Sequence, residues 1–153
     1  MADTFISYSR HDTAVTKDMV DHLRRNELEP WLDIDDRIPA GNRWSDVIKR
    51  AIENAGSLVV MVTPHALSSQ EVSREVEHAR QQGKPIIPFI LALPENAADS
   101  ESDVTPNRIK FEHLPVWIGD YQIIDARAKD LSQAFEQLVS STKKTTKESF
   151  CFH

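Results

Sequence analysis

The chain has 153 residues, which suits one domain with a proper core and leaves no room for a second. Eighteen Lys and Arg against 24 Asp and Glu give a net charge of −6, and the basic residues are scattered, which excludes the clustered positive surface of a nucleic-acid or anionic-membrane binder. The lone Cys151 excludes an intrachain disulfide, no apolar run approaches the roughly 18 residues of a membrane helix and no leader precedes Phe5, so a soluble, cytoplasmic protein is expected.

Short apolar runs rich in Val, Ile and aromatics alternate with helical periods, the pattern of a parallel α/β sheet. Strands are expected over residues 4–9, 30–34, 57–63, 85–91 and 121–125. A first helix carries Val15, Met19 and Leu23 at four-residue steps after Asp12, an expected cap. A second places Trp44, Val47, Ile48, Ala51, Ile52 and Ala55 on one face. Ser68 and Glu71 read as a capping box opening a third helix, with Val72, Val76 and Ala79 inward and Gly83 closing it. Leu131, Ala134, Phe135, Leu138 and Val139 mark the last helix.

Two segments break the pattern. Between Ala92 and Trp117 the period fails, and Pro94, Pro106 and Pro115 with Glu95, Asp99, Glu101 and Asp103 read as an acidic surface loop. Residues 143–153 show no helical period, so the domain is expected over 1–142 with a tail or the start of a linker after it.

Glu75 is the sharpest candidate for chemistry. With Val72, Val76 and Ala79 at the centre of the buried stripe, it falls about 60° from Val72, on the edge of the apolar face. Its i±4 neighbours are Glu71 and Ala79, so neither supplies the cation of an ordinary surface ion pair. A carboxylate bordering a core near another acid tends to have a use, although on spacing alone a solvated helix-flank glutamate explains it too. Glu71 is assigned to the capping box. Trp44 reads as a core-edge residue from its place on a mostly aliphatic face, yet Trp can bury one face and present another. Arg10 follows the first strand, where ligands bind in open parallel sheets, or is a plain surface arginine.

Other chemistries lack their residues. Asp33, Asp35 and Asp36 suggest a calcium loop, but counting from Asp33 the sixth position is Ile38 rather than Gly and the fifth is Arg37. Pro39 and Gly41 shape a turn instead. The six histidines, at 11, 22, 65, 78, 113 and 153, show no ligand spacing, so no metal is expected. Gly41, Gly56, Gly83 and Gly119 are too far apart for G-x-G-x-x-G or a P-loop, and G-x-S-x-G is missing.

Four blocks in order, Phe5-Ile-Ser-Tyr-Ser-Arg10, the polar loop Trp31-Leu-Asp-Ile-Asp-Asp-Arg-Ile-Pro-Ala-Gly-Asn-Arg-Trp44, Ser57-Leu-Val-Val-Met-Val-Thr63 and Ser69-Gln-Glu-Val-Ser-Arg-Glu75, resemble the TIR (Toll/interleukin-receptor) domain, in particular bacterial-type NAD-cleaving members. The resemblance covers about residues 4–142. It implies a flavodoxin-like three-layer α/β sandwich with a five-stranded parallel sheet in the order 2-1-3-4-5. It also implies NAD glycohydrolysis, with NAD as substrate and no cofactor, giving nicotinamide and ADP-ribose or a cyclic isomer. Glu75 would be the catalytic glutamate, and Arg10, Asp33, Trp44 and Ile48 would border the dinucleotide. Many members place a Trp where Glu71 stands here, so that wall of the site departs from the pattern. Phospho-receiver domains share this type of fold, but the acids they carry after the first strand are replaced by Ser9-Arg10-His11.

The resemblance implies self-association through the 34–43 loop, with other TIR domains or a fused sensor domain as further partners, in immune or cell-death signalling. The main alternative is a non-catalytic TIR adaptor that only binds other TIR domains. A third is a nucleoside deoxyribosyltransferase-like enzyme, which also cleaves an N-glycosidic bond on a related fold.

Overall fold

A computed structural model describes residues 2–32, 46–92, 123–128 and 130–151. Five parallel strands form one sheet in the order β2-β1-β3-β4-β5, as expected. They are β1 (Thr4–Ser7), β2 (Pro30–Trp31), β3 (Leu58–Val62), β4 (Ile86–Ile90) and β5 (Ile124–Asp125). Among the described residues the helices are α1 (Thr13–Arg25), α2 (Asp46–Asn54), α3 (Pro64–Leu67), α4 (Gln70–Gln81) and α5 (Leu131–Cys151), with short 3-10 turns over Arg10–Asp12 and Ala126–Ala128.

The period-two rule of strands splits the core into two layers. Phe5, Leu58, Val60, Val62, Ile86 and Ile90 face α2 and α4, where they meet Ile48, Ile52, Val72, Val76 and Ala79. Their neighbours Ile6, Val59, Met61, Ile87 and Phe89 face α1 and α5, against Met19, Leu23, Ala134, Phe135 and Leu138. Burial on both faces is why β3 and β4 read as unbroken apolar runs rather than as an alternation. Phe5 and Trp31, register partners on β1 and β2, stack with centroids 4.9 Å apart. The β4–β5 ladder begins at Phe89, the residue after Pro88, which has no N–H to donate.

Local signals set most helix ends. Gly83 takes φ +69° after α4, with its N–H bonded to Arg80 O and that of Lys84 to Ala79 O, the closure expected of it. Glu27 does the same after α1 at φ 66°, with Glu27 N–H on Arg24 O and Leu28 N–H on Leu23 O, a Schellman ending built on a residue that resists that conformation. At the end of β5, Asp125 accepts from Arg127 Nε at 2.9 Å and Nη2 at 2.8 Å. That hydrogen bond, opposed by burial and aided by the carboxylate charge, raises the guanidinium above its ordinary value.

Five expectations are corrected. Asp12 makes no side-chain cap on α1; its Oδ2 accepts instead from Thr63 Oγ1 at 2.6 Å. The cap of α4 is Ser69, not Ser68: Val72 N–H donates to Ser69 Oγ. Ser68 is consumed as the end of α3, its hydroxyl donating to Pro64 O and His65 O, so Glu71 sits one position too early to close a reciprocal box. Val47 is 60 % exposed, because the buried stripe of α2 is centred on Ile48 and Ile52 and a 100° step carries Val47 off it. Glu75 lies within the buried face rather than on its edge, at 8 % exposure. Residues 143–151, expected without helical period, continue α5. The 34–43 loop, Asp33, Trp44 and the acidic stretch 95–105 lie outside the described residues.

Candidate functional site

A cleft of about 500 Å³ opens beyond the carboxyl end of β1. The chain leaves β1 for β2 on one side and returns to β3 on the other, and this switch point is where open α/β sheets bind ligands. Tyr8, Ser9, Arg10 and His11 line it from the segment after β1, Ile48 from α2, His65 from α3, and Ser69, Glu71 and Glu75 from the start of α4.

Each wall has a local cause. Ser9 accepts from His11 N–H at 3.3 Å and so caps the 3-10 turn that presents Arg10 and His11. Thr63 caps α3 through Ala66 N–H at 3.1 Å, with Pro64 in the first turn. The two caps place the rings of His11 and His65 in a stack, with centroids 4.2 Å apart and planes 20° from parallel. Both imidazoles are exposed at the rim.

Glu75 forms the floor. Strand alternation that sends Phe5 toward α2 and α4 sends Ser7 the same way, and Ser7 Oγ donates a 2.7 Å hydrogen bond to Glu75 Oε1. Ser7 is completely buried and Glu75 nearly so. A carboxylate removed from water needs donors to remain ionised, and this bond has the length of a charge-assisted one. Glu71 is exposed and accepts from Ser69 Oγ at 3.2 Å, so the two acids of α4 occupy different surroundings.

Of the site residues expected from sequence, Arg10, Ile48 and Glu75 meet in this cleft, whereas Asp33 and Trp44 lie outside the described residues. Sequence reasoning missed Ser7 and the His11–His65 stack. A small hydroxyl inside a buried strand does signal that a polar partner is required, but nothing in the sequence names the partner. Among the described residues no cluster of three or more His, Cys, Asp and Glu side chains could hold a metal, and no helix is long and apolar enough to cross a membrane.

A TIR-domain family profile matches residues 4–139. None of the curated proteins matches the sequence. Among solved structures, the TIR domain of the Toll-related receptor TRR-2 from Hydra magnipapillata aligns with a TM-score of 0.66 at 19% identity, covering 94% of this chain and 99% of that one. The TIR domains of the activated Roq1 resistosome, which directly recognises the pathogen effector XopQ, align at 0.65 and 16% identity over 92% and 99%. The CMP N-glycosidase BcmB of Clostridium botulinum aligns at 0.57 and 14% identity over 88% and 95%. At these identities the likeness is one of fold.

Proposed function

The chain belongs to the TIR-domain family, and on that premise we propose that it is an NAD glycohydrolase whose catalytic residue is Glu75. The observation that carries the reading is a buried carboxylate, held by Ser7, on the floor of a cleft at the switch point of the sheet.

The chemistry asks for little else. Nicotinamide in NAD is bound to ribose through a positively charged nitrogen, so when the C–N bond breaks its electron pair returns to that nitrogen and the base leaves neutral, without a general acid. The deficit is on the ribose. A single carboxylate beside it accepts hydroxyl hydrogen bonds and offsets the oxocarbenium charge. Water then adds to the anomeric carbon and loses a proton, giving ADP-ribose, or an internal nucleophile closes a cyclic isomer. NAD is the substrate and no cofactor enters. Arg10, Asp33 and Trp44 border the dinucleotide and Ile48 offers an apolar contact. A neighbour of the same fold named as an N-glycosidase supports the idea that this scaffold accommodates cleavage of such a bond.

Control through assembly belongs to the same reading. A constantly active NAD cleaver depletes its own cell, so the isolated monomer is expected to be nearly silent in the cytoplasm and to turn over when copies dock through the 34–43 loop. Immune or cell-death signalling, including antiviral defence, is the setting that suits such a switch, with other TIR domains or a fused sensor as partners.

The test is nicotinamide release by concentrated protein, compared with Glu75→Ala and Glu71→Ala. Release is expected from the parent and from Glu71→Ala but not from folded Glu75→Ala. Equal release by folded Glu75→Ala overturns the assignment, and loss confined to Glu71→Ala exchanges the roles of the two acids. A parent that binds other TIR domains without any turnover is the adaptor, and cleavage of deoxynucleosides in place of NAD identifies the transferase-like enzyme.

A further inference from the structure

We propose that Ser7 is a positioning residue for Glu75: the 2.7 Å hydrogen bond from its buried hydroxyl holds Oε1, keeps the carboxylate ionised and presents it to the cleft in one orientation. The proposal rests on the reading of Glu75 as the catalytic group.

Ser7 has no direct part in the reaction. It is fully buried and does not line the cleft, to which its neighbours Ile6 and Tyr8 contribute. Whatever it contributes passes through the glutamate. Its own place is fixed, since Ser7 pairs with Val60 in the β1–β3 ladder, and Phe5 two residues earlier is completely buried. The hydroxyl is therefore a donor mounted on a strand paired on both sides within the sheet. Glu75 stands on α4, whose Val72, Val76 and Ala79 are packed against the same face of the sheet. Neither end of the hydrogen bond can drift without moving a strand or a helix, which is how precise sites are supported.

The energetic argument concerns ionisation. Burial disfavours the charged form of a carboxylate, and a hydrogen bond donated to that form favours it. A serine hydroxyl favours the charged form without neutralising it, whereas a lysine or arginine in its place would cancel the charge that the developing cationic ribose requires. A neutral donor is thus the appropriate partner for a carboxylate whose task is to oppose positive charge. The charged or titratable groups that border the same cleft, besides Glu75, are Tyr8, Arg10 and His11 after β1, His65 on α3 and Glu71 on α4, while α2 contributes Ile48. All of them remain when Ser7 alone is changed, so their influence cancels in the comparison.

The experiment follows the Glu75 side-chain carboxyl by carbon NMR across a pH titration, in the parent chain and in Ser7→Ala, Ser7→Thr and Ser7→Cys. Loss of a hydrogen bond to a charged group is expected to raise the Glu75 midpoint by about one pH unit in Ser7→Ala. Ser7→Thr, which keeps the hydroxyl, is expected to restore it. The acid limb of kcat/KM for nicotinamide release moves up by the same amount, with KM nearly unchanged. An unchanged midpoint in folded Ser7→Ala overturns the proposal and reduces the bond to a structural tie between β1 and α4. If Ser7→Ala does not fold, Ser7→Cys, which fills the space with a weaker donor, is held to the same standard. The titration needs no turnover, so a parent chain that releases no nicotinamide even when concentrated and assembled defeats the catalytic reading of Glu75 while leaving the role of Ser7 to be judged by the midpoint.

Discussion

Thr63 Oγ1 donates a 2.6 Å hydrogen bond to Asp12 Oδ2, joining the end of β3 to the entrance of α1 across the rim of the cleft. The same hydroxyl oxygen accepts from Ala66 N–H and caps α3. One side chain therefore fixes both of the segments that carry the stacked His11 and His65 rings. Thr63→Val keeps the shape and removes both bonds, and is expected to cost about 1–2 kcal/mol. Chemical denaturation measures this, and an unchanged midpoint would show that water replaces the hydroxyl without loss.

Ser69 and Glu71 should separate in their effects. Ser69→Ala removes the cap of α4, for which about 1 kcal/mol is typical. Glu71→Ala should cost only a few tenths, from a lost charge near the helix N-terminus. Thermal melts of the two variants decide it, and the opposite ranking would restore the capping box anchored on Ser68.

At Glu27 the prediction is a gain. Its φ of 66° is one that side chains with a Cβ resist and glycine adopts freely. Glu27→Gly is expected to stabilise the fold by about 0.5–1 kcal/mol, the cost of greater freedom in the unfolded chain offsetting part of the relief. A destabilised variant would mean that the glutamate side chain makes a contact worth more than the strain.

Concentration tests the proposed control. If turnover needs docking through the 34–43 loop, nicotinamide released per molecule should rise steeply with protein concentration or crowding, and Gly41→Pro should suppress assembly and turnover together. Light scattering alongside the assay provides the check. A constant rate per molecule from protein shown to be monomeric rejects the mechanism and spares the enzyme assignment.

Much of this molecule is legible in its sequence because a parallel sheet buried on both faces writes itself as apolar runs: β3 and β4 were bounded to within a residue at each end. The inward face of α4 followed from Val72, Val76 and Ala79 alone. What failed was competition between neighbours. Ser68 and Ser69 are both good caps, and only the existence of the short α3 decides which one serves α4. The continuation of α5 was missed because Lys143, Lys144 and Lys147 offer no apolar stripe, although lysine is a good helix former in its own right. The Ser7–Glu75 bond spans 68 positions in the chain and depends on how α4 lies across β1, information that no local pattern holds.

Both margins of the described sheet, β2 and β5, are two residues long. Over the described residues such an edge offers few unpaired backbone groups for another chain to extend.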